Sequence, residues 1–415
     1  MDKKRIFYIY AFSMFLLILW GANAWFFVDL PFNIAITIKL LIFFITLYYK
    51  KVWNIKINLS IKKCAIIALF IIAAILSRQI TRLASLISFI VTYFPLLVLL
   101  SDTNNAQKTL NIITKILCII FLPSIILHIL FLIIGYPPTV PFIVADNDNY
   151  YFYNYGILIK NMAIEGEGIR FNSIFLEPGY LGTLCSFILY AAKFNFKRKS
   201  NLVILFTLIL SFSLAGYIIT FLGWISLLYS KGTSITKYII YCTIIVGIYY
   251  SSQVYNNGNN FFNIYIFSRL ESDQDKGIKG NNRNSELTDF YFNKMCNDGS
   301  ILLGIGTENV KKINGGGAND GDYTNQIRGA GYKLYCINNG CLAALFYLLF
   351  YYLISLKRKK QQSRYCKLFF LLIFITFIQA SYPNSFSWLI PYILGIDTSN
   401  NLNYENRNIN VSCSS

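Results

Sequence analysis

The chain contains 415 residues, of which 55% are hydrophobic and 13% are charged, and its formal net charge is +18 at pH 7. The apolar residues form long uninterrupted blocks rather than the alternating pattern of a soluble core. This composition excludes an ordinary soluble domain and predicts an all-α, polytopic membrane protein. Because the basic residues lie in short linkers between apolar blocks, their charge does not indicate nucleic acid as a partner.

The apolar blocks predict the membrane-spanning segments, since a spanning helix needs about 17 to 25 apolar residues. In chain order the candidates are residues 6–28, 32–49, 64–77, 83–100, 110–134, 174–192, 202–229, 238–251, 336–356, 366–382 and 385–396. The block at 201–229 is too long for one comfortable span, and we expect a hairpin that turns near 211–216. The last block is short. It gives twelve helices if it spans and eleven if it is re-entrant.

The basic linkers predict the orientation of these helices. One basic linker precedes the first helix. If 201–229 is a hairpin and counts as two helices, the others follow the second, sixth and tenth helices. The positive-inside rule then places all of these linkers in the cytoplasm. Two external segments result, a first loop at 135–173 and a large loop at 252–335. They separate N-terminal helices (1–134), central helices (174–251) and C-terminal helices with a tail (336–415). We expect function to concentrate in the external loops.

External arginines are the first candidates for chemistry, because the outer face of such a protein should be poor in basic residues. The guanidinium fork matches phosphate oxygens and stays charged when partly dehydrated. Local ion pairs or lipid headgroups are the alternative explanation for each arginine. Arg78 and Arg82 share one face if their short linker is helical. The other candidates are Arg170 before the sixth span and Arg269, Arg283 and Arg328 in the large loop.

Glu177 follows Arg170 by seven residues and directly precedes Pro178. Proline suits the first turn of a helix, and a carboxylate at that position is favoured by the helix dipole. Glu177 is therefore predicted to be ionised, either as a helix-capping residue or as a group with a chemical role. His128, the only histidine, lies inside the fifth apolar block, where a neutral and hydrogen-bonded packing role is expected.

Four stretches resemble one family when they are taken in order. They are "RFNSIFLEPGYLGTL" from Arg170, "LSFSLAGYI" from Leu210, "GNNRNSELTDFYFNKMCNDGSILLGIG" from Gly280 and "GYKLYCINNGCLAAL" from Gly331. With the large loop between the corresponding spans, the chain resembles the O-antigen polymerases of Gram-negative bacteria and, more distantly, the O-antigen ligases. Polymerases of this family have an arginine, ten residues and a glycine in two periplasmic loops.

The family pattern is matched only in part. Arg269 and Gly280 fit the spacing, whereas Leu181 stands where the partner glycine of Arg170 is expected. Ligases of this fold have a histidine in the large loop, and this chain has none there, so the resemblance favours a polymerase.

The resemblance implies a reaction on the periplasmic side of the bacterial inner membrane. A growing oligosaccharide would pass from undecaprenyl diphosphate to a lipid-linked repeat unit, with no cofactor or metal. Fixed guanidinium groups would stabilise the departing diphosphate, and a carboxylate would act as general base. In this interpretation Arg170, Arg269 and Arg283 hold the diphosphate, Glu177 is the base or a positioning residue, and Arg78, Arg82 and Arg328 bind substrate.

The implied partners are undecaprenyl-diphosphate-linked repeat units, membrane lipids, a chain-length regulator and a flippase of the same pathway. A non-enzymatic flippase or transporter is the alternative, because it would also need cations for a diphosphate. Transporters tend to place charges at the bilayer midplane and to contain internal repeats, and the sequence shows neither strongly.

Overall fold

The computed structural model describes residues 2–28, 30–57, 60–139, 141–143, 151–161, 169–233, 235–260, 263–267, 272–273, 277–278, 285–315, 326–327, 329, 331–356, 360–380 and 382–398. These residues are mostly helical. The α-helices are α1 (Lys3–Gly21), α2 (Phe32–Val52), α3 (Ile61–Leu76), α4 (Leu83–Ser101), α5 (Ala106–Ile134), α6 (Pro178–Ala191), α7 (Lys199–Leu210), α8 (Leu214–Ser230), α9 (Ile235–Val254), α10 (Glu286–Asp298), α11 (Thr307–Gly315), α12 (Tyr332–Asn339), α13 (Cys341–Ser355), α14 (Lys360–Gln379) and α15 (Phe386–Thr398).

Short strands interrupt the expected all-α pattern in the two segments predicted to be external. In the first, β1 (Pro141–Ile143), β2 (Tyr151–Asn154) and β3 (Ile159–Asn161) form an antiparallel sheet in that order. In the second, β4 (Ser272–Asp273) and β5 (Gly277–Ile278) form an antiparallel pair. The all-α prediction therefore holds for the apolar part of the chain and is wrong for these segments.

Several helices in the described residues are long and apolar enough to cross a membrane. They are α1, α2, α4 and α5, and the bent pair of α12 and α13 raises the number from 4 to 5. Helices α7 and α8 are apolar but shorter. The coarse prediction of a multi-pass membrane protein is thereby supported by length and composition.

The break between α7 and α8 lies within the predicted turn, at residues 211–213. Ser213 caps α8 by accepting a hydrogen bond from the Gly216 amide at 3.2 Å, which satisfies an otherwise unpaired N–H group. Close packing of α6 against α8 holds the hairpin. A Cβ at Gly216 would lie 2.9 Å from the Gly182 Cα, so the two backbones touch where these glycines meet.

The segment predicted to span at 336–356 is not one straight helix, because a 115° bend separates α12 from α13. Gly340 forms the bend with φ at +87°, and a Cβ there would overlap the Leu302 carbonyl oxygen. The amide of Ile305 donates to the Ile337 carbonyl at 2.8 Å. The stretch 302–306 of the large loop thus packs into the bend, and glycine is needed for both the dihedral and the space.

Helix α15 lies in the centre of the bundle, and every one of its residues is buried. It packs against α1, α4, α5 and α6. Its 13 residues rise about 20 Å, which is less than the roughly 30 Å hydrocarbon core of a bilayer. At its start the Ser385 hydroxyl donates to the Gly21 carbonyl at 2.6 Å, which fixes α15 to the end of α1.

The described part of the large loop is a small helical unit with its own apolar core. That core contains Met295, Ile301, Val310, Ile327 and Ile337. The packing of residues 285–315 around these side chains makes this part of the large loop a small folded domain.

Candidate functional site

The stretch from Ile169 to Glu177 runs through the end of the bundle rather than over its surface. Residues 170–175 are all buried. The Phe171 amide donates to the Leu210 carbonyl at the end of α7 at 3.0 Å, and the Ser173 carbonyl accepts from the Ile159 amide of β3 at 2.7 Å. The predicted helix at 174–192 accordingly begins only at Pro178, because the preceding backbone is committed to these long-range hydrogen bonds.

Arg170 is buried in this stretch, with 8% of its surface exposed. Lys160, in β3, is 1% exposed, and its Nζ donates to the Arg170 carbonyl at 3.1 Å. The Lys160 ammonium also lies 5.0 Å from the centre of the Tyr136 ring, a favourable cation–π position. Lys160 is therefore buried against the backbone of Arg170, whose own side chain is also buried, and burial of charged groups is costly.

His128 links α5 to the same stretch. Its Nε2 lies 3.1 Å from the Ile169 carbonyl oxygen, which only accepts, so Nε2 is the protonated nitrogen. In the neutral ring Nδ1 then accepts from the Tyr136 hydroxyl, 2.8 Å away. Burial raises the pKa of Tyr136, so this hydroxyl keeps its proton. The hydrogen-bonded packing role predicted for His128 is confirmed, and the residue also orients the backbone beside Arg170.

The Tyr217 hydroxyl of α8 lies close enough to Arg170 for an electrostatic interaction. The guanidinium charge acts on this hydroxyl, which donates to the Ile209 carbonyl. Ile209 in turn lines an apolar groove of about 450 Å³ between α5 and α7. The remaining lining residues are Leu122, Ile125, Leu202, Val203, Leu205 and Phe206. An apolar groove and a buried cationic pair are thereby connected through one tyrosine.

Glu177 is exposed and occupies the N-cap of α6, with Pro178 at its first turn as predicted. Its side chain accepts no capping hydrogen bond from the helix backbone, so the expected capping role is not the one that the structure describes. The charge of Glu177 acts on the hydroxyl of Tyr180, whose ring lies 5.7 Å from that of Tyr382. A carboxylate and two phenols thus lie together at the start of α6.

Arg78 connects the bundle to the large loop. It adopts a positive φ of +59° directly after α3, and its guanidinium donates to the Gly304 carbonyl at 3.0 Å. A Cβ at Gly306 would overlap the Arg78 guanidinium, so glycine is required for this contact. The substrate-binding role predicted for Arg78 remains a prediction, beside this structural one.

Arg82 is exposed and stands at the N-cap of α4, where its amide donates to Ser85 Oγ at 2.9 Å. The linker from Arg78 to Arg82 is not helical, so the condition under which both side chains would share one helix face is not met. The left-handed backbone of Arg78 ends the helix before it reaches Arg82. Three further candidates, Arg269, Arg283 and Arg328, lie outside the described residues.

Lys160 is the functional candidate that the sequence reasoning missed. It and Arg170 are the basic residues of the segment at 135–173. By the positive-inside rule, an external lysine is as unexpected as an external arginine, and this signal singles out Lys160 in the sequence.

Comparisons with protein-family models, curated proteins and solved structures find no match to this chain. Within the described residues, no group of three or more His, Cys, Asp or Glu side chains could hold a metal ion. The geometry of the site is therefore the basis for assigning a function.

Proposed function

We propose that this chain is an O-antigen polymerase of the bacterial inner membrane, with eleven or twelve membrane-spanning helices and its site on the periplasmic face. The observation that supports this most strongly is the buried pair of Arg170 and Lys160 beside the apolar groove between α5 and α7. A polyprenyl diphosphate has the matching chemistry, since it joins a long apolar chain to a compact polyanion. The resemblance in the sequence supplies the reaction.

In the proposed reaction, an acceptor hydroxyl of the lipid-linked repeat unit attacks the anomeric carbon of the donor oligosaccharide. A new glycosidic bond forms while the bond to the undecaprenyl diphosphate breaks with its electron pair. Negative charge grows on the departing diphosphate, where Arg170 and Lys160, together with Arg269 and Arg283, would stabilise it in a dehydrated site. Glu177, exposed at the start of α6, would take the hydroxyl proton as general base.

The remaining assignments follow the same proposal. Arg78, Arg82 and Arg328 would contact substrate, and Arg78 would do so from its position against Gly304. A flippase that supplies repeat units and a chain-length regulator would be the protein partners.

Deletion of the gene and complementation with wild type or Arg170→Ala test the proposal in cells. We expect lipopolysaccharide capped with a single repeat unit in the deletion strain, a full ladder with wild type and no ladder with Arg170→Ala at equal membrane levels. Bare lipopolysaccharide core would indicate a ligase instead. Repeat units stranded on the cytoplasmic face would indicate a flippase.

Reporter fusions test the proposed orientation separately. Fusions after Gly156 and Gly299 should be periplasmic, and a fusion after Lys360 should be cytoplasmic. A cytoplasmic signal at Gly299 would contradict the proposed function, because the large loop would then face the wrong compartment.

A further inference from the structure

A cavity of about 550 Å³ lies at the end of the bundle opposite to Arg170, where α1 begins, α2 ends and α5 begins. Its charged lining residues are Asp2, Lys3, Lys4 and Lys108, and the others are Phe7, Tyr8, Trp53, Asn111 and Ile112. The three lysines outnumber the single carboxylate, so the cavity carries a net positive charge.

The positions of these lysines are unfavourable for the helices themselves. Lys3 and Lys4 lie in the first turn of α1 and Lys108 in the first turn of α5, and neither helix has an acidic residue there. Helix N-termini carry a partial positive charge, and lysine there is disfavoured by the dipole. Asp2 offsets part of this charge on α1, where it accepts from the Lys4 amide at 3.2 Å. The excess positive potential is therefore suited to an external anion.

A guanidinium group and an indole N–H group also belong to the surroundings of this cavity. The guanidinium of Arg198, at the N-cap of α7, donates to Asn111 Oδ1, and Asn111 lines the cavity. The indole N–H of Trp53 is buried and has no acceptor among the described residues. An oxyanion in this cavity would meet ammonium groups and lie next to this donor.

The apolar part of the lining distinguishes a lipid headgroup from a free anion. Phe7 and Trp53 pack with ring centres 5.8 Å apart, and Tyr8 is half exposed beside them. Both α1 and α5 are long and apolar enough to span a membrane, so the cavity lies at the depth where headgroups and aromatic belts occur. It also belongs to the end that the basic linkers assign to the cytoplasm.

We propose that this cavity binds the phosphodiester headgroup of an anionic phospholipid of the cytoplasmic leaflet. Lys3, Lys4 and Lys108 bind the phosphate, and the aromatic lining packs against the glycerol and the start of the acyl chains. Basic pockets between spanning helices on this side of a membrane are suited to such headgroups. The site is separate from the proposed polymerase site and does not depend on its activity.

The test uses the full chain purified in an uncharged detergent and titrated with dihexanoyl phosphatidylglycerol below its critical micelle concentration. Binding is followed by native mass spectrometry. The variant Lys3→Gln/Lys4→Gln/Lys108→Gln should weaken binding by about tenfold or more. The control Lys51→Gln/Lys197→Gln/Lys231→Gln removes the same charge from exposed positions of the same end that do not line the cavity, and it should change binding less than about twofold. Equal losses in both variants, or no loss in the first, would overturn the proposal.

Two further probes separate a lipid site from a free-anion site. Dihexanoyl phosphatidylcholine should bind more weakly than the anionic lipid, and sodium phosphate should neither match its affinity nor displace it. Displacement by phosphate would overturn the lipid assignment. If the triple variant does not fold, as judged by gel filtration, Lys108→Gln alone decides the question. It should weaken binding by about threefold to fivefold, and an unchanged affinity would count against the site.

Discussion

Helix α5 connects two polar clusters that bury opposite charges. Just before its start, Asp102 is buried and accepts hydrogen bonds from the Tyr49 hydroxyl and, at 3.0 Å, from the Asn105 amide. Near its other end His128 contacts the stretch that carries Arg170. The anionic cluster is closed by packed neighbours, since the Tyr49 ring stacks on Tyr10 at 3.9 Å. The cationic cluster adjoins a groove instead.

Under the proposed function, this difference separates a structural buried charge from a functional one. A carboxylate surrounded by its own donors supports folding and leaves no room for a ligand. In the proposed function, the buried cations beside the apolar groove are the site for a lipid-linked anion. Variants at the two ends should therefore differ in activity far more than in stability.

The largest effect is expected at the cationic end. Arg170→Ala should reduce polymer formation from purified lipid-linked repeat units by about a thousandfold, because a donor aimed at the departing diphosphate is lost. Lys160→Ala should have an effect of the same kind, and Arg170→Lys should rescue poorly because a point charge does not reproduce the guanidinium fork. Asp102→Asn is the matched change at the other end and should retain activity within about twofold. Equal losses at both ends would remove the distinction between the clusters.

A smaller loss of activity is expected at Glu177. Glu177→Gln keeps the shape of the side chain but removes its proton affinity, and the rate of polymer formation should fall about a hundredfold. Glu286→Gln changes another exposed glutamate at the start of a helix and should leave the rate unchanged. If Glu177 only stabilised α6 through the helix dipole, its substitution would instead cost up to about 1 kcal/mol of stability and leave turnover near wild type.

The next effect is expected on stability, where α6 packs against the hairpin of α7 and α8. Gly182→Ala would place a Cβ 2.5 Å from the Ser213 Cβ, and the resulting shift of α6 against the hairpin should cost about 1 to 3 kcal/mol in free energy of unfolding. Gly179, in the same helix, has open space around it, and a Cβ added there would meet no described atom within 4 Å. Gly179→Ala should therefore be neutral or gain up to about 1 kcal/mol. Thermal unfolding in detergent compares the two variants. Equal melting temperatures would contradict the close contact of Gly182 with Ser213.

The smallest effect is expected in the pH dependence of stability, through Asp102 at the anionic end. Burial raises the pKa of Asp102, although Tyr49 and Asn105 oppose the shift. Because the unfolded carboxyl ionises near pH 4, the stabilisation is complete below that pH and is lost as the pH rises through the folded pKa. Asp102→Asn does not titrate. Between pH 4 and pH 7 the wild type should lose more in melting temperature than this variant. Parallel curves for the two proteins would refute the prediction.

Some features of this protein were determined by the sequence alone. Long apolar blocks gave the positions of α1, α2, α4 and α5, and the serine-containing turn at 211–213 was placed within the predicted interval. Pro178 marked the start of α6. Each of these features depends on hydropathy or on local backbone preference, and both are determined by residues close together in the sequence.

Other features were decided only by the tertiary structure. Gly340 bends a segment that the sequence treats as one span, because Leu302 packs against it. Arg78 contacts Gly304 across 226 positions of the chain, and no local pattern specifies that pairing. Lys160 is buried because its strand meets the stretch that carries Arg170. Burial and close approach depend on segments far apart in sequence. The sequence therefore identified Arg78 and Arg170 as candidate charges, while the packed fold determined their contacts and added Lys160.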